Sequence, residues 1–480
     1  MVPGSVRRGE ASVVDLTSDS ALAGPGVAFC ALQGRHADGH EYAAQAVAAG
    51  TAALIVDRFL DLPVSQLRVP SVRAALGPLS AAIHGWPSRR LRLAAVTGTD
   101  GKTTTAHLIE RCLAASGRRT GSIGTIAIKI SDRTIASRAT TPEAPDLHRL
   151  FAEMVQSGVQ DVAMEVSSHG LDLGRVAGLS FTVAVFMNLS PEHLDYHATM
   201  ERYWETKAQL FHSPRSHFGV IRIDDEWGEK LAATATLPLV TFGRARKADV
   251  VIEDVETDLN GTKVQLRWHR QRLKLFTVIP GIVNADNVTA AYLAARAMGV
   301  ASEEATRALA QAPAIPGRFE LIDTGQPFLV VIDYAHTAAA LKALIDTARR
   351  VTGPSSRVII VLGARGGRYR DKRTTLGRTA AGSDLVVITT DSPGTEDPAT
   401  IANDLLDGCN KVTGSRTIIE LDRETAINLA MALARPGDAV LIVGRGHERY
   451  YERGNQHLEL DDREAARAAL AASVNQQLQS

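Results

Sequence analysis

A chain of 480 residues is too long for one ordinary hydrophobic core, and roughly three domains are expected. Lys plus Arg and Asp plus Glu both number 53, so no charge balance points to nucleic acid or to a membrane surface. Cys30, Cys112 and Cys409 are too dispersed for a metal site or a disulfide framework, and no apolar stretch could serve as leader or membrane span, so a cytoplasmic protein without membrane insertion or nucleic-acid partner is expected.

Residues 1–88 read as a first α/β unit. Short strands are expected over 13–16, 27–32 and 52–56, with a small helix over 41–49. Between them the polar run Gly34-Arg35-His36-Ala37-Asp38-Gly39-His40 either connects elements or grips a ligand. Gly85-Trp86-Pro87-Ser88 breaks the pattern and sets the first boundary.

The second unit, 89–315, opens on a buried strand (Leu91, Leu93, Ala94, Ala95, Val96), then the turn Gly98-Thr99-Asp100-Gly101-Lys102-Thr103, then a helix over 106–115. A chain cradles phosphates in this way. Glycines let backbone N–H groups turn inward, the helix N-terminus adds positive dipole, Lys102 adds a full charge, and the Thr103 hydroxyl suits Mg²⁺. The general pattern wants a glycine where Val96 stands, so the loop is a compact form. Leu147, Leu150, Phe151 and Met154 mark a one-faced helix, and 162–166 a buried strand that carries Glu165. In a parallel sheet that carboxylate falls at the ligand edge, where it either holds Mg²⁺ beside Thr103 or makes an ordinary ion pair.

A further strand over 183–187 runs into Asn188-Leu189-Ser190 and then His193-Leu194-Asp195-Tyr196-His197, side chains suited to a metal or to proton transfer. On the next helix Met200, Tyr203, Trp204, Leu210 and Phe211 form the apolar face, and Lys207 falls on it. A buried ammonium is costly, so Lys207 either snorkels to water or does chemistry at the strand edge. Residues 249–280 turn to antiparallel β, with Asn260-Gly261 as one turn, before a helix over 284–297.

The run Ala312-Pro313-Ala314-Ile315-Pro316-Gly317-Arg318 separates the third unit, 316–480, and a hinge is expected at 313–317. Strands over 328–332, 357–362, 384–389 and 439–443 alternate with helices such as 338–350 and 424–434. Polar clusters follow the strand ends, among them Asp333-Tyr334-Ala335-His336, Asp391-Ser392-Pro393 and Gly444-Arg445-Gly446-His447-Glu448. The expected fold is therefore α/β in three domains. A small N-terminal α/β domain precedes a central parallel sheet of phosphate-loop ATPase type with an added antiparallel segment, and a Rossmann-like C-terminal domain follows. No dinucleotide glycine fingerprint opens that last domain, which argues against NAD.

Together these residues resemble the Mur ligases. The resemblance is carried by 98–103, Glu165-Val166-Ser167-Ser168-His169, Asn188-Leu189-Ser190, 193–197, Lys207, Pro316-Gly317-Arg318-Phe319-Glu320, 333–337, 444–448 and 461–464. It covers nearly the whole chain, and the MurE type, which adds a diamino acid to UDP-N-acetylmuramoyl-L-alanyl-D-glutamate, is the most similar. The resemblance implies an ATP-dependent amide ligase of peptidoglycan precursor synthesis. ATP phosphorylates the D-glutamate carboxylate, and the incoming amine attacks the acyl phosphate. It places ATP on Gly98, Thr99, Asp100, Gly101, Lys102, Thr103 and Thr104, with Asn284 and Asn287 on the adenine side and Arg318 and Asp333 reaching in from the C-terminal domain. Lys102, His193 and Lys207 become catalytic. Two Mg²⁺ ions are expected on Thr103, Glu165, His193 and a Lys207 carbamylated by CO₂, which turns a misplaced cation into an anion. The UDP-linked dipeptide falls to Ser18, Ser20, Arg35, His36, Ala37, Thr140, Thr141, Ser167 and Arg175, with Ala21 standing where the family's uridine site has arginine. A monomer is expected.

The amino-acid site of the family carries over to Arg373, Asp391, Ser392, Pro393, Gly394, Gly444 and Glu448. Members that take meso-diaminopimelate read Asp-Asn-Pro-Arg where this chain has Asp391-Ser392-Pro393-Gly394. Glycine cannot make the bidentate bond by which arginine holds a distal carboxylate, so L-lysine or L-ornithine is expected in preference to meso-diaminopimelate, with Glu448 on the side-chain ammonium. Three rival readings are a ligase of folylpolyglutamate-synthetase type acting on another carboxylate, a non-catalytic scaffold, and a nucleic-acid motor.

Overall fold

The computed structural model describes residues 2–34, 37–367 and 370–479. The expected Arg35 and His36 contacts lie outside the described residues. Three open sheets succeed one another along the chain, and a small hairpin, Tyr450–Arg453 with Gln456–Glu459, stands beside the last. In the first sheet Asp15–Thr17, Val27–Cys30, Ala53–Val56 and Ser65–Arg68 run parallel in that spatial order, with Val6–Arg8 antiparallel at the edge. Two of its elements escape the sequence pattern. Ser65–Arg68 buries only Gln66, and the helix Val72–Ile83 carries Pro78 in its interior.

The central sheet has eleven strands. Seven run parallel, with Arg92–Thr97 between Asp161–Glu165 and Val183–Phe186 in the middle. An antiparallel ribbon extends each end. Gly261–Trp268 and Gln271–Thr277 form the expected one, while Ala127–Ile130 and Arg133–Ala136 form a second that short alternating stretches did not reveal. Residues 93–97 are wholly buried, because helices cover both faces, and this is why the strand reads as a continuous apolar run. Helix Lys102–Ala115 packs with Val283–Ala297 on one face, and Leu147, Phe151 and Met154 of Ala144–Gln156 pack on the other. Each such buried side chain contributes about 1.5–3 kcal/mol.

In the third sheet Leu329–Asp333, Ala439–Val443, Val358–Leu362, Leu385–Ile388 and Thr417–Ile419 are parallel, with Glu320–Leu321 antiparallel at one edge. Polar ties join the layers. Arg149 holds Asp15 at 2.6 Å and Arg73 holds Glu143 at 2.8 Å, which seats the first sheet on helix Ala144–Gln156. On the other side Lys372 meets Glu192 at 2.7 Å, and Thr337 Oγ1 donates to Asp100 Oδ2 at 3.1 Å. No helix among the described residues is long and apolar enough to cross a membrane.

Candidate active site

The register of the central sheet decides where the chemistry can be. Glu165 pairs with Val96, and Phe186 with Thr97, so three parallel strands end side by side and their loops share one edge. Gly98 and Gly101 have φ of 147° and 85°. A Cβ on Gly101 would lie 2.5 Å from Asn287 Oδ1, so only glycine allows the turn to pack against helix Val283–Ala297. Asn188 stitches the loop from the neighbouring strand. Its side-chain oxygen accepts from Asp100 N at 2.9 Å, its Nδ2 donates to Asp100 O at 3.2 Å, and its carbonyl accepts from Thr99 N at 3.0 Å. The helix then begins at Lys102, four residues before the apolar pattern does, because threonines 103–105 hide its start.

Lys102 Nζ lies over the loop, donating to Gly98 O at 2.9 Å and Thr99 O at 2.7 Å. Burial pulls its pKa below the usual amine range, against the opposing pull of Glu165 and Asp100. Thr103 Oγ1 donates to Glu165 Oε2 at 2.9 Å and accepts from Arg318 Nη2 at 3.1 Å, so a residue of the third unit reaches the phosphate loop. Glu165 also accepts from Thr125 N at 2.7 Å and Thr125 Oγ1 at 3.1 Å. Thr103 and Glu165 give hard oxygen donors on one spot, the kind of partial set that Mg²⁺ completes with phosphate oxygens and water. Among the described residues no cluster of three or more His, Cys, Asp or Glu could hold a metal ion by itself. Thr104 is buried behind the loop. Asn287, which lies against Gly101, donates through Nδ2 to Asn284 Oδ1 at 2.8 Å, and Asn284 Nδ2 donates to Pro280 O at 2.7 Å.

Lys207 is 1 % exposed. Its Nζ donates to Gly98 O at 3.0 Å and Thr97 Oγ1 at 3.4 Å and lies 4.7 Å from the centre of the Tyr203 ring. It forms no ion pair among the described residues, and only the more distant Asp100 carboxylate favours its charged form. Burial first, and the Lys102 charge second, hold its pKa well below the ordinary value of 10.5. Snorkelling is thereby excluded, since the ammonium end points at the phosphate loop and not at water. Tyr203 also meets Thr99 Oγ1 at 3.2 Å and the His193 ring at 6.3 Å between centroids, so Lys207, His193 and the loop share one aromatic neighbour. His193 has φ 57°, and burial, helped by His169 and nearby cations, pushes its pKa down to about 2. Burial thus favours the neutral imidazole, the form whose lone pair can bind a metal.

The expected acceptor-substrate residues divide into two groups. Thr140, Thr141, Ser167 and Arg175 come together around Glu165. Thr140 Oγ1 contacts Thr125 Oγ1 at 3.0 Å, Thr141 Oγ1 donates to Glu165 O and accepts from Ser167 N, both at 3.0 Å, and Arg175 donates to Thr141 O at 2.9 Å. Ser18 and Ser20 flank Asp19, whose carboxylate caps the short helix Ser20–Leu22 through Ala21 N. They lie in the first unit, on the loop that follows strand Asp15–Thr17, and Ala37 is exposed there on a separate loop.

At the third sheet, Asp333 accepts from Phe319 N at 2.6 Å and Ala335 N at 2.7 Å, which shapes the loop that carries Arg318. Arg318 stacks on Tyr334, 4.5 Å from its centre. Arg373 departs from its expected role. It is 1 % exposed, its two terminal nitrogens bind Glu396 at 2.7 Å each, and Asp404 adds a bond at 3.0 Å, so it braces the pocket wall and does not reach into the pocket. Asp391 is likewise buried, facing Gly444 and Arg445. Ser392, Gly394 and Glu448 do line one cavity of about 220 Å³, together with Arg365, to which sequence reasoning gave no role. Thr125 and Lys372 are singled out only by their positions in space, while Tyr203 and Thr337, read as a core residue and as part of the 333–337 run, gain their site contacts only in the structure.

The chain is similar to known proteins over nearly its whole length. Residues 96–295 match the Mur ligase middle domain and residues 317–446 the Mur ligase glutamate ligase domain. The chain is 40% identical over 467 residues to the UDP-N-acetylmuramoyl-L-alanyl-D-glutamate–2,6-diaminopimelate ligase of Solibacter usitatus, covering 96% of this chain and 94% of that one. A solved structure of a ligase with the same name has a TM-score of 0.67 at 30% identity, over 96% of this chain and 95% of its own. The MurF ligase of Thermotoga maritima, solved with ADP, has a TM-score of 0.68 at 20% identity over 96% and 98% of the two chains, a likeness of fold.

Proposed function

Since the chain belongs to the Mur ligase family, we propose that it joins a diamino acid to the D-glutamate carboxylate of UDP-N-acetylmuramoyl-L-alanyl-D-glutamate. It is an ATP-dependent acid–amino-acid ligase of peptidoglycan synthesis. The glutamate carboxylate attacks the γ-phosphorus and ADP leaves. The amine then attacks the acyl carbon, its N–C bond forms as the C–O bond to phosphate breaks, and a proton is lost from nitrogen. Catalysis of this kind is positioning plus neutralisation of phosphate charge.

The roles follow the contacts. Lys102, Gly98 to Gly101 and the helix N-terminus bind the phosphates, Asn284 and Asn287 lie towards the base, and Arg318 supplies charge from the third unit at Thr103. Thr103 and Glu165 would hold one Mg²⁺ and His193 with a modified Lys207 a second; such ions polarise phosphoryl oxygens and offset their charge. Lys207 reacts as its neutral amine: nitrogen adds to the carbon of CO₂, one N–H proton leaves, and an anionic carbamate forms. Burial without a carboxylate partner, which favours the neutral amine, supports this. Thr140, Thr141, Ser167, Arg175, Ser18 and Ser20 serve the UDP-linked dipeptide. Lysine and ornithine as third substrates have the missing side chain at Gly394 in their favour, and diaminopimelate has the relatives' names.

The juxtaposition of Lys102, Thr103 and Glu165 in front of a buried, unpaired Lys207 carries this reading. ADP release is the assay. Sustained, multiple-turnover release is expected only when the UDP-linked dipeptide and a diamino acid are both supplied. Turnover with a folate-type or other carboxylate acceptor, and none with the dipeptide, would refute it.

A further inference from the structure

Gly394 leaves the pocket of the third unit without the side chain that the resemblance leads one to expect, and the backbone explains why. Its φ is +58°, its N–H donates to Glu452 O at 3.1 Å, and its carbonyl accepts from Gly454 N at 2.6 Å. This left-handed residue docks the hairpin Tyr450–Arg453 against the pocket, and a side chain there would be strained even though open space surrounds it. A cation reaches the same cavity from the next loop. Gly366 N donates to Ser392 O at 2.9 Å, and a Cβ on Gly366 would lie 1.8 Å from Pro393 O, so the two loops touch and residue 365 sits beside residue 394.

Arg365 is held so that its head faces the cavity. Its carbonyl accepts from Arg373 Nη2 at 3.1 Å, and Arg373 is itself locked to Glu396 and Asp404. Its side chain is 33% exposed and donates through Nη2 to Glu448, whose carboxylate also accepts from Tyr334 OH at 3.4 Å. A guanidinium has five N–H donors, so the one bond to Glu448 leaves donors for a ligand. A guanidinium and a carboxylate side by side complement an amino-acid end: carboxylate to the arginine, ammonium to the glutamate. Tyr334 links the cavity to the phosphate loop: Arg365 lies 6.0 Å from the centre of its ring, and Arg318, which touches Thr103, lies 4.5 Å from it.

We propose that Arg365 binds the distal carboxylate of the third substrate and Glu448 its distal ammonium, so that the ligase proposed above takes a diamino dicarboxylic acid of the 2,6-diaminopimelate class. The specificity that glycine at 394 gives up is supplied from the adjoining loop.

Steady-state kinetics of the full-length enzyme with ATP, the UDP-linked dipeptide and either meso-diaminopimelate or L-lysine test this. The wild type should prefer diaminopimelate. Arg365→Gln should cut kcat/KM for diaminopimelate by about 30- to 100-fold, mainly through KM, and shift kcat/KM for L-lysine by far less, through the freed Glu448 alone, with KM for ATP within about threefold. Arg365→Lys should recover part of the loss. A wild-type preference for L-lysine, an equal loss with both amino acids, or no loss with diaminopimelate would each overturn the proposal and leave the ligase reading standing. A wild type that turned over neither amino acid with the dipeptide, yet used another carboxylate acceptor, would remove the ligase reading and the proposal with it.

Discussion

Lys207 and Arg365 are two cations in two parts of the site, and their surroundings are opposite. At the edge of the central sheet Lys207 is buried against Gly98 O, Thr97 and an aromatic ring, with burial favouring its neutral form. In the third unit Arg365 has Glu448 and stays charged, held above even the ordinary arginine range by Tyr334, Asp391 and Glu448 despite its burial. A cation with a partner recognises anions. A buried amine without one is a nucleophile, and here it faces the loop where phosphate charge must be offset.

Lys207→Arg is the sharpest way to break that contrast. Arginine keeps a cation and cannot form a carbamate, so turnover should fall by about 10²- to 10³-fold, as far as in Lys207→Ala. Full activity in Lys207→Arg would mean that only the charge matters. The same lysine should cost stability. Its folded pKa lies below 10.5, so between the two values the unfolded chain binds more protons and stability rises with pH. In CO₂-free buffer Lys207→Met should therefore raise the Tm at pH 7, with the gain shrinking towards pH 10, as followed by thermal melts.

Glu165→Ala comes next. It leaves Thr103 Oγ1 and both Thr125 donors without their acceptor and removes the expected Mg²⁺ carboxylate. kcat should drop by about 10²-fold, and the Mg²⁺ concentration needed for half-maximal rate should rise. The paired cations make the counter-test. Arg423 and Asp462 are both buried and meet at 2.7 Å, so Arg423→Met, which leaves the carboxylate only the longer contact to Arg445 at 3.6 Å, should cost about 3 kcal/mol in urea unfolding.

The central-sheet edge was legible because its signals are local. Gly98 to Thr103 lie in one turn, and the oddity of Lys207 follows from Tyr203, Trp204, Leu210 and Phe211 all being buried around it. The third unit was less legible because its partners are far apart in sequence. Arg373 is a plausible carboxylate binder until Glu396 and Asp404 are brought onto it, and Arg365 in a glycine-rich run gains meaning only when Gly366 abuts Pro393. Helix Val72–Ile83 was hidden by Pro78, and strand Ser65–Arg68 by its polar, half-exposed sequence.

The smallest effect expected is at the junction of the two regions. Lys372 bonds Glu192 across it at 2.7 Å, where Glu192 is 6 % exposed and the lysine is partly in water. Lys372→Ala should lower kcat/KM for ATP by about three- to tenfold, roughly 1 kcal/mol, without loss of fold. An unchanged kcat/KM would mean that this contact does not help bring Arg318 and Thr337 onto the phosphate loop.

The central claim is that the phosphate loop activates a carboxylate by phosphorylating it. Isotope tracing tests this most directly. With the D-glutamate carboxylate labelled with ¹⁸O, one turnover with ATP and the amino acid should deliver one ¹⁸O atom into inorganic phosphate, with ADP unlabelled. Phosphate free of label, or label appearing in AMP, would contradict the account.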